Sequence, residues 1–140
     1  MPALKYSRQR ESIKEYLMST KEHPTADMVY LHVKQEFPNI SLGTVYRNLN
    51  LLADIGEIIK ISTLNGGDRF DGTTTPHYHF FCTDCGAVLD LDMDNIETIN
   101  HIAGKNFDGE IDTHNITFYG RCGDCVKNAK VLKMWLTFKT

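Results

Sequence analysis

Long apolar runs are missing from this sequence. No stretch of its 140 residues approaches the ~18 consecutive apolar residues that a membrane-spanning helix needs. Residues 1–10 carry Lys5, Arg8 and Arg10 with no apolar segment behind them, which argues against a secretory leader and for a cytoplasmic protein. Internal repeats and low-complexity tracts are missing as well. So is any excess of positive charge: 15 Lys and Arg against 18 Asp and Glu give a net charge of −3, and nucleic-acid binding cannot rest on bulk charge. Cysteine is scarce, with four in all: Cys82, Cys85, Cys122 and Cys125. Two CxxC pairs in a reduced compartment read as a metal site rather than a disulfide frame. What remains is a globular profile, 41% hydrophobic and 24% charged, long enough for one ordinary domain or two small ones.

The halves differ. Residues 1–76 hold nine basic and nine acidic side chains, whereas residues 77–140 hold six and nine and carry the whole net charge. All four cysteines and four of the six histidines lie in the second half. Apolar periodicity predicts a helix over 8–19 around Ile13, Tyr16 and Leu17. A second helix is predicted from the Thr25 N-cap to near Phe37-Pro38, with Ala26, Val29 and Val33 inward. Ser41 caps a third, with Leu42, Val45, Leu49 and Leu52 buried and Gly56 as its stop. Short strands follow around Ile59 and Ile61 and at Arg69-Phe70-Asp71, joined by a hairpin at Asn65-Gly66-Gly67-Asp68. This order predicts a winged helix-turn-helix over 1–72 and a linker at 73–76. Over 77–140 it predicts a small α/β unit with strands at 77–81, 87–91 and 111–119. A helix is marked there by Ile96, Ile99 and Ala103, and a packed terminal helix by Val131, Met134 and Trp135. The fold class is thus mixed α/β (α+β).

Three groups of residues carry chemistry. Two CxxC knuckles can complete a tetrahedral, coordinatively closed zinc site that staples rather than catalyses. His77 and His79, at i and i+2 of a strand, face one way and can reach one ion. With Asp90 on the next strand and Asp71 at the end of the wing they make an N/O set suited to Fe(II), Mn(II) or Zn(II). His23, alone before a helix, is a weaker signal, and His114, read as a strand residue, is more simply a satisfied surface histidine. On the third helix, Ser41, Thr44, Tyr46, Arg47 and Asn50 combine readers of base edges with phosphate-binding hydroxyls, and Arg69 in the wing can meet DNA. A zinc hydrolase or deaminase would need an open zinc position and a His-x-Glu, which is absent. A metal store without DNA function is the remaining competitor.

The runs His23-Pro24-Thr25-Ala26-Asp27 and Thr44-Val45-Tyr46-Arg47-Asn48-Leu49, then Arg69-Phe70-Asp71, His77-Tyr78-His79 and both CxxC pairs, in this order, resemble the ferric uptake regulator superfamily. The resemblance implies a homodimeric, metal-dependent repressor with an N-terminal winged helix, a C-terminal dimerisation domain and a palindromic DNA operator. It implies structural zinc at Cys82, Cys85, Cys122 and Cys125, and a regulatory Fe(II) or Mn(II) at His23, Asp71, His77, His79 and Asp90. Asp rather than Glu at position 90 is the mark of the family's peroxide-sensing branch, which implies oxidation of His23 and His77 as the trigger. Iron- or zinc-uptake regulation is the alternative within the family. The His-Asp-His run of iron-uptake members, which feeds an additional metal site, is His77-Tyr78-His79 here, so that site is expected to be missing although His114 matches one of its ligands.

Overall fold

The computed structural model describes residues 5–64 and 67–138. The chain divides between Thr75 and Pro76 into two compact units. The first begins with α1 (Arg8–Ser19), whose N-cap Ser7 accepts a hydrogen bond from the Arg10 amide. Ile13 and Leu17, one turn apart, are its buried residues. α2 (Ala26–Val33) is capped by Thr25, and Ala26, Val29 and Val33 form its inner stripe. It ends four residues before Phe37. There the chain tightens into i→i−3 turns, Gln35 to His32 at 3.3 Å and Glu36 to Val33 at 3.1 Å.

α3 (Leu42–Asp54) starts at the Ser41 cap and buries Val45, Leu49 and Leu52. Leu42 departs from expectation: as the first helical residue it overhangs the core and stays 36% exposed. The far end closes as a Schellman motif. Gly56, at φ +80°, donates to the Ala53 carbonyl at 3.1 Å, and Glu57 donates to Leu52 at 2.9 Å. β1 (Ile59–Ile61) and β2 (Arg69–Asp71) pair antiparallel, Ile59 opposite Asp71. Of the predicted hairpin tip, Asn65 and Gly66 lie outside the described residues, while Gly67 has the left-handed φ of +89°. Three helices packed on a core of Ile13, Leu17, Val29, Val45, Leu49 and Phe70, then a two-stranded wing, are a winged helix-turn-helix.

Gly72, the first residue after β2, is tied to α1 by sterics. A Cβ there would lie 2.6 Å from the backbone of Leu17 and Met18. Neither backbone atom can swing away as a side chain would, so Gly72→Ala is expected to destabilise the first unit by about 1–3 kcal/mol. A fall in the denaturant midpoint of the full-length protein, with unchanged slope, checks it.

The second unit is a three-stranded sheet in the order β4-β3-β5, with β3 (Tyr78–Cys82) central. β4 (Val88–Leu91) runs antiparallel to β3 and β5 (Thr117–Gly120) parallel. The parallel pairing demands a long crossover, and it contains β4 and α4 (Thr98–Ala103). The strand expected over 111–119 begins only at Thr117; before it, His114 is engaged by the side chains of Asn100 and Tyr78. The tail forms α5 (Gly123–Phe138), yet it is not packed as expected: Leu132, Met134, Trp135 and Leu136 are each at least 60% exposed. Apolar exposure on this scale marks a surface for a partner. Among the described residues, no helix is long and apolar enough to cross a membrane.

Candidate functional site

The cysteines come together because β3 and β5 are parallel neighbours. Cys82 ends β3 opposite Gly120, so the turn after β3 and the start of α5 emerge side by side. Gly86, at φ +78°, closes the first knuckle and donates to the Cys82 carbonyl at 2.9 Å. The Thr83 amide reaches across to the Gly120 carbonyl at 2.7 Å. Cys82 and Cys125 sulfurs are 3.7 Å apart, those of Cys85 and Cys122 3.8 Å, and all four lie within 4.8 Å of one another. Four thiolates about 2.3 Å from a zinc ion define a tetrahedron with edges of about 3.8 Å, so the donor set fits zinc. Disulfides would need sulfurs near 2 Å, and all four cysteines are free. The amides of Cys85 and Cys122 both point at the buried Cys82 sulfur, each at 3.4 Å. They pull its pKa down to about 6, which favours the thiolate that a metal takes. Cys125 is pushed the other way by hydrogen bonding to Cys122 and Cys82.

The second donor group of this unit is on the sheet. His79 is the register partner of Asp90 across β3 and β4, and His77 lies two residues before it on the same side. Nε2 of His77 is 3.3 Å and Nε2 of His79 3.4 Å from the same Asp90 Oδ1. The two rings meet edge to face at 4.5 Å. These separations exceed ordinary N–H···O bonds and match the ligand-to-ligand edges of about 3.0–3.4 Å around an ion bound at 2.0–2.1 Å.

In the first unit, His23 and Asp71 are buried together, 1% and 2% exposed, with Nδ1 and Oδ2 3.6 Å apart. β2 sets this pair. The Phe70 amide donates to Pro24 at 2.9 Å, and the Arg69 guanidinium donates to the His23 carbonyl at 3.1 Å and to Glu22 at 3.4 Å. His23 is held at φ +51°, a conformation costing a non-glycine residue about 1–3 kcal/mol and concentrated at functional sites. The Thr73 amide donates to the other carboxylate oxygen of Asp71 at 2.9 Å. Arg69 was expected to face DNA. It is half-buried, and part of its donor fork holds the loop carbonyls beside it, which are strong acceptors for a charged donor.

Along α3, Tyr46, Arg47 and Asn50 are exposed opposite the stripe of Val45, Leu49 and Leu52. Ser41 and Thr44 are the cap itself: the Ser41 Oγ accepts the Thr44 amide at 3.1 Å and lies 2.9 Å from the Thr44 hydroxyl. Arg47 bonds that hydroxyl at 3.0 Å, which lays its guanidinium along the helix surface.

Residues that the sequence did not single out surround His114. It is not in a strand. It is engaged by Tyr78, Asn100 and, through Tyr78, Asn95. The available signal was a tyrosine on the opposite face of the strand from the two histidines that flank it.

A winged helix followed by a sheet unit with thiolate and imidazole–carboxylate donor sets defines a metal-binding DNA-binding regulator. The chain belongs to the ferric uptake regulator family, whose model matches residues 2–119. It is 37% identical over 117 residues to the peroxide-responsive repressor PerR of Staphylococcus aureus, spanning 84% of this chain and 79% of that protein. Among solved structures it resembles the peroxide stress regulator of Campylobacter jejuni (TM-score 0.74, 32% identity, 84% and 88% of the two chains). It also resembles the ferric uptake regulator Fur of Helicobacter pylori, described with three functional metal binding sites (TM-score 0.75, 26% identity, 88% and 83%).

Proposed function

We propose that this chain is a homodimeric, metal-dependent repressor that senses hydrogen peroxide and acts in the cytoplasm on a palindromic operator, as a regulator and not an enzyme. The observation that carries the reading is the single Asp90 oxygen shared by His77 and His79, with aspartate at the position that marks the peroxide-sensing branch. Zinc is held by Cys82, Cys85, Cys122 and Cys125. His23, Asp71, His77, His79 and Asp90 ligate one Fe(II) or Mn(II). The ligands come from both halves of the sequence, so ion binding selects one arrangement of the two recognition helices in the dimer, about 34 Å apart for successive major grooves. The selection is limited to the difference in ion affinity between arrangements. Ser41, Thr44, Tyr46, Arg47 and Asn50, with Arg69 in the wing, then contact DNA, and the exposed apolar residues of the second unit supply dimer contacts.

Iron, if held by these residues, would supply catalysis of oxygen transfer from hydrogen peroxide to a neighbouring ring, with no net change in its own oxidation state. The peroxide O–O bond would break, one oxygen would enter a ring C–H of His23 or His77, which is oxidised by two electrons, and the other would leave as water. An oxidised ring is a poorer donor, the ion is lost and the operator is released. The test is operator binding and mass spectrometry of iron- and manganese-loaded protein before and after peroxide. The iron form should release DNA with one added oxygen on His23 or His77, and the manganese form should do neither. Release with unmodified histidines, or through cysteine oxidation alone, overturns the mechanism. The similarity to the H. pylori ferric uptake regulator favours a second reading, an iron- or zinc-uptake regulator, in which chelation but not peroxide releases DNA.

A further inference from the structure

The opposite side of β3 from the histidines carries a polar network that the function has not used. Tyr78 lies between His77 and His79, so its side chain leaves the strand on the other face, where it is 2% exposed. Its hydroxyl accepts the Ile96 amide at 2.7 Å, and its one hydrogen is shared between two acceptors, Asn95 Oδ1 at 2.8 Å and His114 Nε2 at 2.7 Å. The Tyr78 and His114 rings stack at 5.6 Å. His114 Nδ1 is 2.7 Å from Asn100 Oδ1. Asn100 spends its Nδ2 on the Asp112 carbonyl at 3.3 Å, which turns its oxygen to the ring and puts the hydrogen on Nδ1. Both nitrogens of His114 are thus engaged by protein.

We propose that Tyr78 and His114 are positioning residues for the metal ligands, and that His114 is not itself a ligand. The proposal rests on the reading of His77, His79 and Asp90 as an ion site. β3 is five residues long, and a small rotation about its axis would swing both imidazoles off the Asp90 oxygen. One hydroxyl fastened to the 95–96 segment directly, and through His114 to α4, prevents that rotation. Partners behind a metal's direct ligands typically change affinity 10- to 100-fold.

The test uses full-length, zinc-loaded protein titrated with Co(II), read by its visible absorption bands. Tyr78→Phe keeps the ring and removes the hydroxyl. His114→Ala removes the brace, while His114→Gln restores an amide able to reach Tyr78. Tyr78→Phe and His114→Ala should weaken Co(II) binding about 10-fold or more and displace its bands. His114→Gln should recover most of the loss, and zinc content should stay unchanged throughout. Wild-type affinity and spectra in Tyr78→Phe and His114→Ala overturn the proposal. So does the loss of one whole cobalt equivalent in His114→Ala, which would make His114 a ligand. A wild-type protein that takes up no cobalt beyond its zinc overturns the ion-site reading itself, and that result is distinct from both.

Discussion

Cys82→Ser should yield a protein without zinc whose second unit is unfolded while its first unit remains native. Cys82 is the most committed of the four sulfurs: fully buried, with two backbone amides directed at it. Serine would present a shorter, harder donor that zinc binds poorly, leaving three thiolates around an incomplete site. The consequence is large because little else holds this unit. Among its described residues, the buried hydrophobic set is Tyr78, Phe81, Cys82 and Val88, whereas the first unit buries eleven residues in one cluster. Structural zinc contributes an apparent 10–16 kcal/mol in small domains, roughly the whole net stability of an ordinary one. Metal analysis should find no zinc, and amide-exchange protection should vanish from Tyr78–Cys82 while surviving in Arg8–Ser19 and Leu42–Asp54. Retention of protected β3 amides without zinc would overturn the staple.

Where local rules suffice, the sequence was legible. Ser7, Thr25 and Ser41 cap the three helices because their oxygens accept free amides, and Gly56 ends the third for want of a Cβ. Each CxxC pair and the i, i+2 histidines were equally readable, since knuckle and strand geometry bring those atoms together within each pair, whereas the meeting of the two CxxC pairs depends on β3 and β5 lying side by side. What the sequence left unread depended on neighbours remote in it. Arg69 holds the carbonyls of Glu22 and His23 only because β2 folds onto the 22–24 loop. His114 looked like a strand residue, but Tyr78 and Asn100 claim it from 36 and 14 residues away. The apolar spacing of Val131, Met134 and Trp135 announced a helix correctly, yet nothing in that spacing says whether the same chain or a partner covers it.

His77→Ala should separate the two metal functions. His77 precedes β3 and makes no ladder pairing, so its removal leaves the sheet, the Cys82–Cys125 sulfur contact and the α3 surface intact. The loss is one of two imidazoles facing the Asp90 oxygen. Direct ligands matter more than the partners behind them, so the affinity for Mn(II) should fall by more than about 100-fold. Operator binding should lose its dependence on Mn(II) to the same degree, because an ion can bias an equilibrium only by the affinity it has for the favoured state. Zinc stoichiometry and the thermal transition of the zinc-loaded, manganese-free protein should match the wild type. Fluorescence anisotropy of a labelled palindromic duplex, titrated with manganese at fixed ionic strength, reads the effect, the ionic strength being held because phosphate contacts respond steeply to salt. A variant that still binds the duplex in response to Mn(II) at wild-type concentrations would remove His77 from the regulatory set and leave Asp90 and His79 to be explained as an ordinary cross-strand pair.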